Sequence, residues 1–215
     1  MNTTEILHIT SASLPYLLVV PSDAEKHGEW PVLCFLHGND EAAPCPIREG
    51  VTRHGPLNPN NPDRVQSEFI IVAPQLPEPG DKWFRYSNVV KDITTSVQRE
   101  HGGDPNRTYL TGFSYGANGV FDLGIEQSDF WAALWPVDPT RVPKEELNQP
   151  IWISIGAAAR RLTASYIQQV NVKPLNDGLD GDRYYLDEGE DHVGSARKAY
   201  KDERIYDWLL AKRFQ

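Results

Sequence analysis

Short apolar runs recur along the chain and are separated by polar stretches. The run at residues 32–36 is Val-Leu-Cys-Phe-Leu, with no polar residue between its members. Such a run is typical of a strand that is buried on both faces of a mostly parallel sheet. By this criterion we predict strands at residues 13–20, 32–36, 68–74, 108–113, 130–137, 150–156 and 182–187.

Helical spacing of apolar residues marks several of the segments between these strands, as at Val90, Ile93 and Val97. Residues 201–212 have an amphipathic pattern, and residues 157–170 are compatible with a helix. Strands that alternate with helices imply parallel βαβ units with right-handed crossovers. We therefore predict a doubly wound α/β fold, with a mostly parallel sheet of about seven or eight strands and helices on both faces.

The composition fits one folded domain over residues 1–215. Hydrophobic residues make up 40% of the chain, which is long enough to bury a sizeable core. The net charge of −9 disfavours nucleic acid or an anionic membrane as a partner, because both are bound through surplus Lys and Arg. The first residues lack a basic segment before an apolar core, and no stretch reaches ~20 apolar residues. We expect a soluble, cytoplasmic protein that acts on a small molecule, and its oligomeric state stays open.

A Gly-x-Ser-x-Gly motif at residues 112–116 interrupts an apolar run that resumes as a helix-like stretch. The motif can be an ordinary turn, but a strand before it and a helix after it form the context of a nucleophilic serine. A serine hydroxyl is a poor nucleophile near pH 7, so it must lie beside a base and beside donors for an oxyanion. We therefore predict that Ser114 is a nucleophile.

Three segments together resemble the α/β-hydrolase superfamily, and within it the compact carboxylesterase, phospholipase and predicted-peptidase group. They are the strand end Leu36-His37-Gly38, the block at residues 104–116, and Glu-Gly-Glu-Asp-His at residues 188–192. The resemblance covers nearly the whole chain. It implies an α/β-hydrolase fold without a large cap domain, and acyl transfer to serine followed by hydrolysis.

The resemblance also implies a role for individual residues. Ser114 would attack the substrate carbonyl, and the backbone N–H groups of Tyr115 and Asn39 would hold the oxyanion, unless the Asn39 side chain donates instead. His192 follows the last predicted strand, where the general base of this fold lies. The chain order of the fold excludes as the base every histidine that precedes Ser114, namely His8, His27, His37, His54 and His101.

The acid of the triad departs from the pattern of the superfamily. Relatives usually have Gly-x-x-Asp after the penultimate strand, but here Gly156 begins Gly-Ala-Ala-Ala and Ala159 occupies the acid position. A variation in the superfamily supplies the acid one strand earlier, where Asp138 follows an apolar run. We favour Asp138 as the acid, with a Ser-His dyad as the alternative. Acidic residues nearer to His192 are interpreted as a solvated loop: Asp187, Glu188, Glu190 and Asp191.

Further residues are candidates for binding the substrate. Trp83 and Phe84 follow a Pro/Gly-rich connection and are candidates for an aromatic pocket, with peripheral core packing as the alternative. The long polar segment at residues 39–66 is expected to line the site. Arg160 and Arg161 could bind a substrate carboxylate, although two arginines at the start of a helix are usually solvated.

The sequence predicts no metal site and no cofactor, because it lacks zinc-ligand spacing, a phosphate-binding loop and a dinucleotide fingerprint. We predict a serine esterase that cleaves the carboxylic ester of a small molecule through an acyl-enzyme. An acyltransferase or a peptidase would share the same nucleophile chemistry. A non-catalytic binding protein of this fold is the third alternative, because the usual acid position is Ala159.

Overall fold

A computed structural model describes residues 5–22, 29–175 and 181–214. Within these residues, nine strands form one sheet with the spatial order β1-β2-β4-β3-β5-β6-β7-β9-β8. The strands are β1 (Ile6–Ile9), β2 (Tyr16–Val19), β3 (Trp30–Leu36), β4 (Ile70–Pro74), β5 (Gly103–Phe113), β6 (Ala133–Val137), β7 (Ile151–Ile155), β8 (Lys173–Pro174) and β9 (Arg183–Asp187).

Most of the sheet is parallel. Strand β2 pairs antiparallel with both β1 and β4, whereas the pairs from β4 through β3, β5, β6, β7 and β9 to β8 are all parallel. The seven strands predicted from apolar runs are all present. The two additional strands, β1 and β8, are short strands at the two edges, where a continuous apolar run is not required.

Helices and short helical turns connect the strands. The helices are α1 (Ile47–Arg53), α2 (Arg64–Glu68), α3 (Ser87–His101), α4 (Tyr115–Glu126), α5 (Ala157–Arg160), α6 (Thr163–Ser165), α7 (His192–Ala199) and α8 (Glu203–Leu210). Tighter turns lie at Asn39–Glu41 and Trp83–Tyr86, and a wider helical turn at Tyr166–Val170. In the described part of the chain, no helix has the length and apolar character to cross a membrane.

Two apolar cores lie on opposite faces of the sheet. Alternate residues of β3 enter different cores: Val32, Cys34 and Leu36 enter the first, and Leu33 and Phe35 enter the second. Buried residues of α3 and α4 pack in the first core, and those of α1, α2 and α8 pack in the second. Because both faces of the strand are covered, the run lacks polar alternation. The predicted doubly wound α/β fold is confirmed.

Three segments depart from a simple alternation of strands and helices. The polar segment at residues 39–66 contains α1 and the start of α2, which ends at Glu68. Residues 104–107 interrupt the pairing of β5 with β3, because Gly103 pairs with Trp30 and the next pair is Thr108 with Val32. Residues 157–170 form short pieces instead of one helix, since the Thr163 hydroxyl donates to the Arg160 carbonyl that a continuous helix would use (2.8 Å).

Candidate active site

Ser114 lies at the sharp turn between β5 and α4. Its backbone has φ 57° and ψ −114°, a strained conformation for a residue with a side chain. The strand and the helix are very close here: a Cβ on Gly116 would lie 1.8 Å from the Leu36 carbonyl oxygen, and a Cβ on Gly112 would lie 2.5 Å from the Gly116 backbone. Only glycine fits at both positions, which is the physical basis of the Gly-x-Ser-x-Gly motif.

The ends of three elements bring Ser114, His192 and Asp138 together. The Ser114 Oγ lies 2.9 Å from His192 Nε2, and His192 Nδ1 lies 2.6 Å from Asp138 Oδ2. His192 is the first residue of α7, whose start is capped by the Asp191 carboxylate accepting from the Gly194 N–H (2.7 Å). The Phe113 ring packs on the His192 ring with centroids 4.6 Å apart. The imidazole is thus held from two sides, in reach of both partners.

The Asp138 carboxylate is fully buried directly after β6. Its Oδ1 accepts from the N–H groups of Gly156 (2.9 Å) and Ala159 (2.8 Å), and its Oδ2 also accepts from the Ala158 N–H (3.3 Å). These donors belong to the segment after β7 where relatives usually have the acid. In this chain that segment therefore supplies backbone donors for a carboxylate from the neighbouring strand. These hydrogen bonds compensate the burial of the Asp138 carboxylate.

The hydrogen bonds determine which ring nitrogen carries the proton. Both Asp138 oxygens accept from backbone N–H groups, as an ionised carboxylate does. His192 Nδ1 therefore donates to Asp138, which leaves Nε2 as the acceptor for the Ser114 hydroxyl. This tautomer is the one a general base requires.

Two candidate oxyanion donors lie at helix starts. Tyr115 is the first residue of α4, and Asn39 is the first residue of the tight turn Asn39–Glu41. N–H groups at such positions have no partner within their own helix. The Asn39 side chain is otherwise engaged, because its Nδ2 donates to Asp40 (2.8 Å) and its Oδ1 accepts from the Gly80 N–H (2.7 Å). The arrangement favours the backbone N–H of Asn39 over its side chain as the donor.

His37 is buried and fixes the loop before Asn39. Its Nε2 accepts from the Leu76 N–H (2.9 Å), so its Nδ1 carries the proton and donates to the Gly38 carbonyl (2.6 Å). Burial lowers the pKa of His37 to about 4, and the ring is neutral near pH 7. His37 is therefore a positioning residue of this loop.

Glu41, in the same loop, is a further residue of the site that the sequence does not predict. Its side chain is buried, and a Cβ on Gly38 would lie 2.7 Å from Glu41 Oε2 and 3.5 Å from the Ser114 Cβ. Burial is the main cause that raises the pKa of Glu41, and Arg53 at 3.6 Å opposes the rise. No local pattern distinguishes this carboxylate from the other acidic residues of the segment, because its burial depends on α1 packing over it.

The two aromatic candidates differ in exposure. Trp83 is buried, its Nε1 donates to the His37 carbonyl (3.1 Å), and its side chain packs against Gly119. Phe84 is 44% exposed and lines a cleft of about 340 Å³ beside Tyr115. Trp83 is packed in the core and also lines this cleft, whereas the exposed Phe84 ring is the more accessible of the two.

The acidic residues near His192 are not a uniformly solvated loop. Asp187 forms a two-pronged ion pair with Arg160 (both contacts 2.7 Å), so this arginine is not free to bind a substrate carboxylate. Glu188 is largely covered, and burial raises the pKa of its carboxyl to about 7. Of the histidines that chain order excludes, His27 lies outside the described residues. Within those residues, no group of three or more His, Cys, Asp or Glu side chains could hold a metal ion.

Comparisons with known proteins give matches in structure but not in sequence. No protein-family model matches the chain, and no curated protein matches it. A thermostable esterase superposes with a TM-score of 0.73 at 21% identity over 97% of this chain, which spans only 63% of that esterase.

Two further solved structures match over nearly their whole length. An S-formylglutathione hydrolase from Agrobacterium tumefaciens has a TM-score of 0.65 at 13% identity, with 95% of this chain and 94% of that chain covered. The fluorophosphonate-binding serine hydrolase F of Staphylococcus aureus has a TM-score of 0.63 at 11% identity, with 97% and 98% covered. At these identities the likeness concerns the fold, and it agrees with the sheet order and the serine turn described above: the chain has the α/β-hydrolase fold.

Proposed function

We propose that this protein is a serine hydrolase that cleaves a carboxylic ester of a small molecule through an acyl-enzyme on Ser114. The observation that carries the proposal is the continuous hydrogen-bond chain from Ser114 Oγ through His192 to the buried Asp138 carboxylate. The fold of the esterases and serine hydrolases among its structural neighbours supports the same class of reaction.

In the first half of the reaction, Ser114 Oγ attacks the ester carbonyl carbon while its proton moves to His192 Nε2. The carbonyl oxygen becomes an oxyanion that accepts hydrogen bonds from the backbone N–H groups of Tyr115 and Asn39. The tetrahedral intermediate then collapses, the C–O bond to the alcohol breaks, and His192 Nε2–H protonates the departing alkoxide. The acyl group is left on Ser114.

In the second half, a water molecule gives a proton to His192 Nε2 and attacks the acyl carbonyl. The new tetrahedral intermediate expels Ser114 Oγ, which recovers the proton from His192, and the carboxylic acid is released. Throughout the cycle, Asp138 accepts from His192 Nδ1–H and stabilises the imidazolium without taking the proton itself.

The three alternative functions, a non-catalytic protein, an acyltransferase and a peptidase, differ in how well they fit the site. The reason to consider a non-catalytic protein was Ala159 at the usual acid position, and the contact between Asp138 and His192 supplies a carboxylate there from another strand. An acyltransferase or a peptidase would use the same residues, with an amine or alcohol in place of water or with an amide substrate. The distinction depends on the loops that bind the second substrate.

Labelling with a fluorophosphonate probe tests the proposal, because the probe reacts with an activated serine. We expect wild-type protein to be labelled and Ser114→Ala to lose the label. Ser67 is an exposed serine whose hydroxyl donates to the Arg64 carbonyl, so Ser67→Ala is a matched control that should label like wild type. An unlabelled wild type, or equal labelling of Ser114→Ala, would refute the proposed nucleophile.

A further inference from the structure

A second concave pocket of about 430 Å³ lies on the His192 side of the candidate site. Val193, the residue after His192, lines it together with His54 from the segment that follows α1. The His54 ring packs edge-on against Phe113 with centroids 4.9 Å apart. The Phe113 ring also packs against His192, with centroids 4.6 Å apart. The pocket is therefore one aromatic ring away from the proposed general base.

The charge of this pocket differs from that of the whole protein. The described residues that line it include the cations Arg53, Arg197 and Lys201 and no Asp or Glu, although the chain has a net charge of −9. Arg53 contacts the Glu41 carboxylate at 3.6 Å. Across the described residues, neither Arg197 nor Lys201 forms an ion pair. Two full positive charges are thus left available on one wall.

The pKa of His54 reflects two of these positive charges. Burial, and after it the positive charges of Arg53 and Arg197, lower the pKa of His54 to about 4. The ring is therefore neutral near pH 7 and adds no charge of its own. Both guanidinium groups are therefore close enough to His54 to act on its imidazole, although they come from opposite walls of the pocket.

The wall that carries Arg53 is held in place by hydrogen bonds. Asn58 Nδ2 donates to the Arg53 carbonyl (2.7 Å), and Asn61 Nδ2 donates to the Gly55 carbonyl (2.8 Å). The opposite wall is α7, which carries Arg197 on the same helix as His192. Both walls thus have an ordered backbone, and the exposed side chains of Arg197 and Lys201 are accessible to an anion.

The cleft beside Phe84 offers no comparable surface. Its lining includes Asp81 and Asp122 as well as cations, and its Arg141 is paired with Asp122 at 2.6 Å. An anionic group entering this cleft would meet carboxylates of like charge. The described lining of the cleft thus carries two carboxylates beside its three cations, whereas that of the pocket at His192 carries three cations and no carboxylate, so the latter favours an anion more strongly.

We propose that the pocket formed by Arg53, Arg197 and Lys201 binds an anionic group of the substrate, a carboxylate or a phosphate, while the ester carbonyl lies at Ser114. This inference rests on the proposed function and names its substrate class: an ester that carries a negative charge on its acyl or alcohol part. Guanidinium groups bind carboxylate and phosphate in the same forked geometry, so the pocket chemistry is shared by the two groups.

Matched ester pairs test the proposal by kcat/KM. On the acyl side, 4-nitrophenyl hemiglutarate is compared with 4-nitrophenyl pentanoate, and on the alcohol side 4-acetoxybenzoate is compared with 4-acetoxybenzamide. We expect wild type to prefer the anionic member of one pair, and Arg197→Gln to reduce that preference about tenfold, as loss of one charge-assisted hydrogen bond does. Lys201→Gln should reduce it less, because a lysine makes no forked contact.

Arg99→Gln is the matched control, because Arg99 is an exposed arginine of α3 that lines neither hollow. It removes the same charge and should leave the preference unchanged. Using the ratio within each pair cancels changes that affect all esters alike. A wild type without preference in either pair, or a preference that Arg197→Gln leaves unchanged, would overturn the proposal.

Calorimetric titration separates this inference from the proposed function. We expect glutarate, inorganic phosphate or both to bind wild type and to bind Arg197→Gln about tenfold more weakly, and the better ligand identifies which anion the pocket favours. If neither fluorophosphonate labelling nor ester turnover is seen, the proposed function fails while this titration still decides the subsite. Absence of binding by both anions together with normal turnover of neutral esters would remove the subsite alone.

Discussion

Asp138 and Glu188 are both covered carboxylates, and their surroundings differ. Asp138 receives three backbone N–H groups from residues 156–159 and the Nδ1–H of His192. Glu188, directly after β9, has a hydrogen bond with Ser154, but within the described residues its buried Oε1 has no hydrogen-bond partner. Asp138 is thus solvated by the protein, whereas burial raises the pKa of Glu188 to about 7.

The difference shows that nearness in sequence does not determine which carboxylate can accept a hydrogen bond from His192. Glu188 is only four positions from His192, yet its charged form is poorly solvated. Asp138 is 54 positions away, but the start of α5 presents its free N–H groups to it. A buried carboxylate can stay ionised only where donors replace water.

The largest effect should follow from neutralising Asp138. Asp138→Asn keeps the size of the side chain but does not hold the His192 tautomer, so we expect kcat for a neutral 4-nitrophenyl ester to fall about 10⁴-fold. Asp187→Asn changes a carboxylate that pairs with Arg160 on the surface, and it should leave kcat within a few-fold of wild type. Full turnover by Asp138→Asn would show that another group, or none, serves as the acid.

The next effect concerns Glu188 and the pH dependence of stability. A raised carboxyl pKa means that the folded protein keeps a proton that the unfolded chain releases between pH 4.5 and about 7. The contribution of Glu188 to the free energy of unfolding is therefore complete below pH 4.5 and is lost as pH rises through about 7, by up to roughly 3 kcal/mol.

Urea unfolding of wild type and Glu188→Gln from pH 4.5 to 8 measures this contribution. The stability of wild type relative to the variant should fall across this range, and the subtraction cancels the titration of distant groups such as His37. Lys198 and Arg204 oppose the shift, while Asp202 reinforces it. A difference that does not change with pH would contradict the contrast between the two carboxylates.

A smaller effect is expected from filling the space beside Asp138. A Cβ on Gly156 would lie 2.4 Å from Ser195 Oγ and 2.9 Å from Asp138 Oδ2. Gly156→Ala should therefore displace one of these groups, lower the free energy of unfolding by about 1–3 kcal/mol and reduce kcat. Ala157→Ser alters the next, exposed position and should stay within about 0.5 kcal/mol of wild type. Equal stability and activity of both variants would argue against tight packing at this strand end.

Much of the fold follows from the sequence because the central strands are buried on both faces. The runs around Leu33 and Ile153 are covered on both sides, so they lack polar positions and predict strands directly. Edge strand β1 and helices α1 and α2 are short and partly exposed, and their pattern is correspondingly less regular. Their formation depends on contacts with distant segments rather than on local spacing.

The residues of the candidate site also differ in how far the sequence predicts them. Ser114 has a local signature because its turn demands glycine on both sides, and the chain order of the fold leads to His192. The environment of Asp138 is not local, since its donors come from Gly156 to Ala159 on the next strand end. Glu41 and the pocket around Arg197 depend on how α1 and α7 pack, so no sequence pattern identifies them.

The proton on His192 Nδ1 reports most directly on the claim that Asp138 is its partner. We would record the far-downfield proton NMR resonance of this group and assign it by its loss in His192→Gln. The account predicts that the resonance persists in Glu188→Gln and is lost or moves strongly upfield in Asp138→Asn, because only Asp138 accepts from Nδ1. A resonance that is unchanged in Asp138→Asn but lost in Glu188→Gln would contradict it.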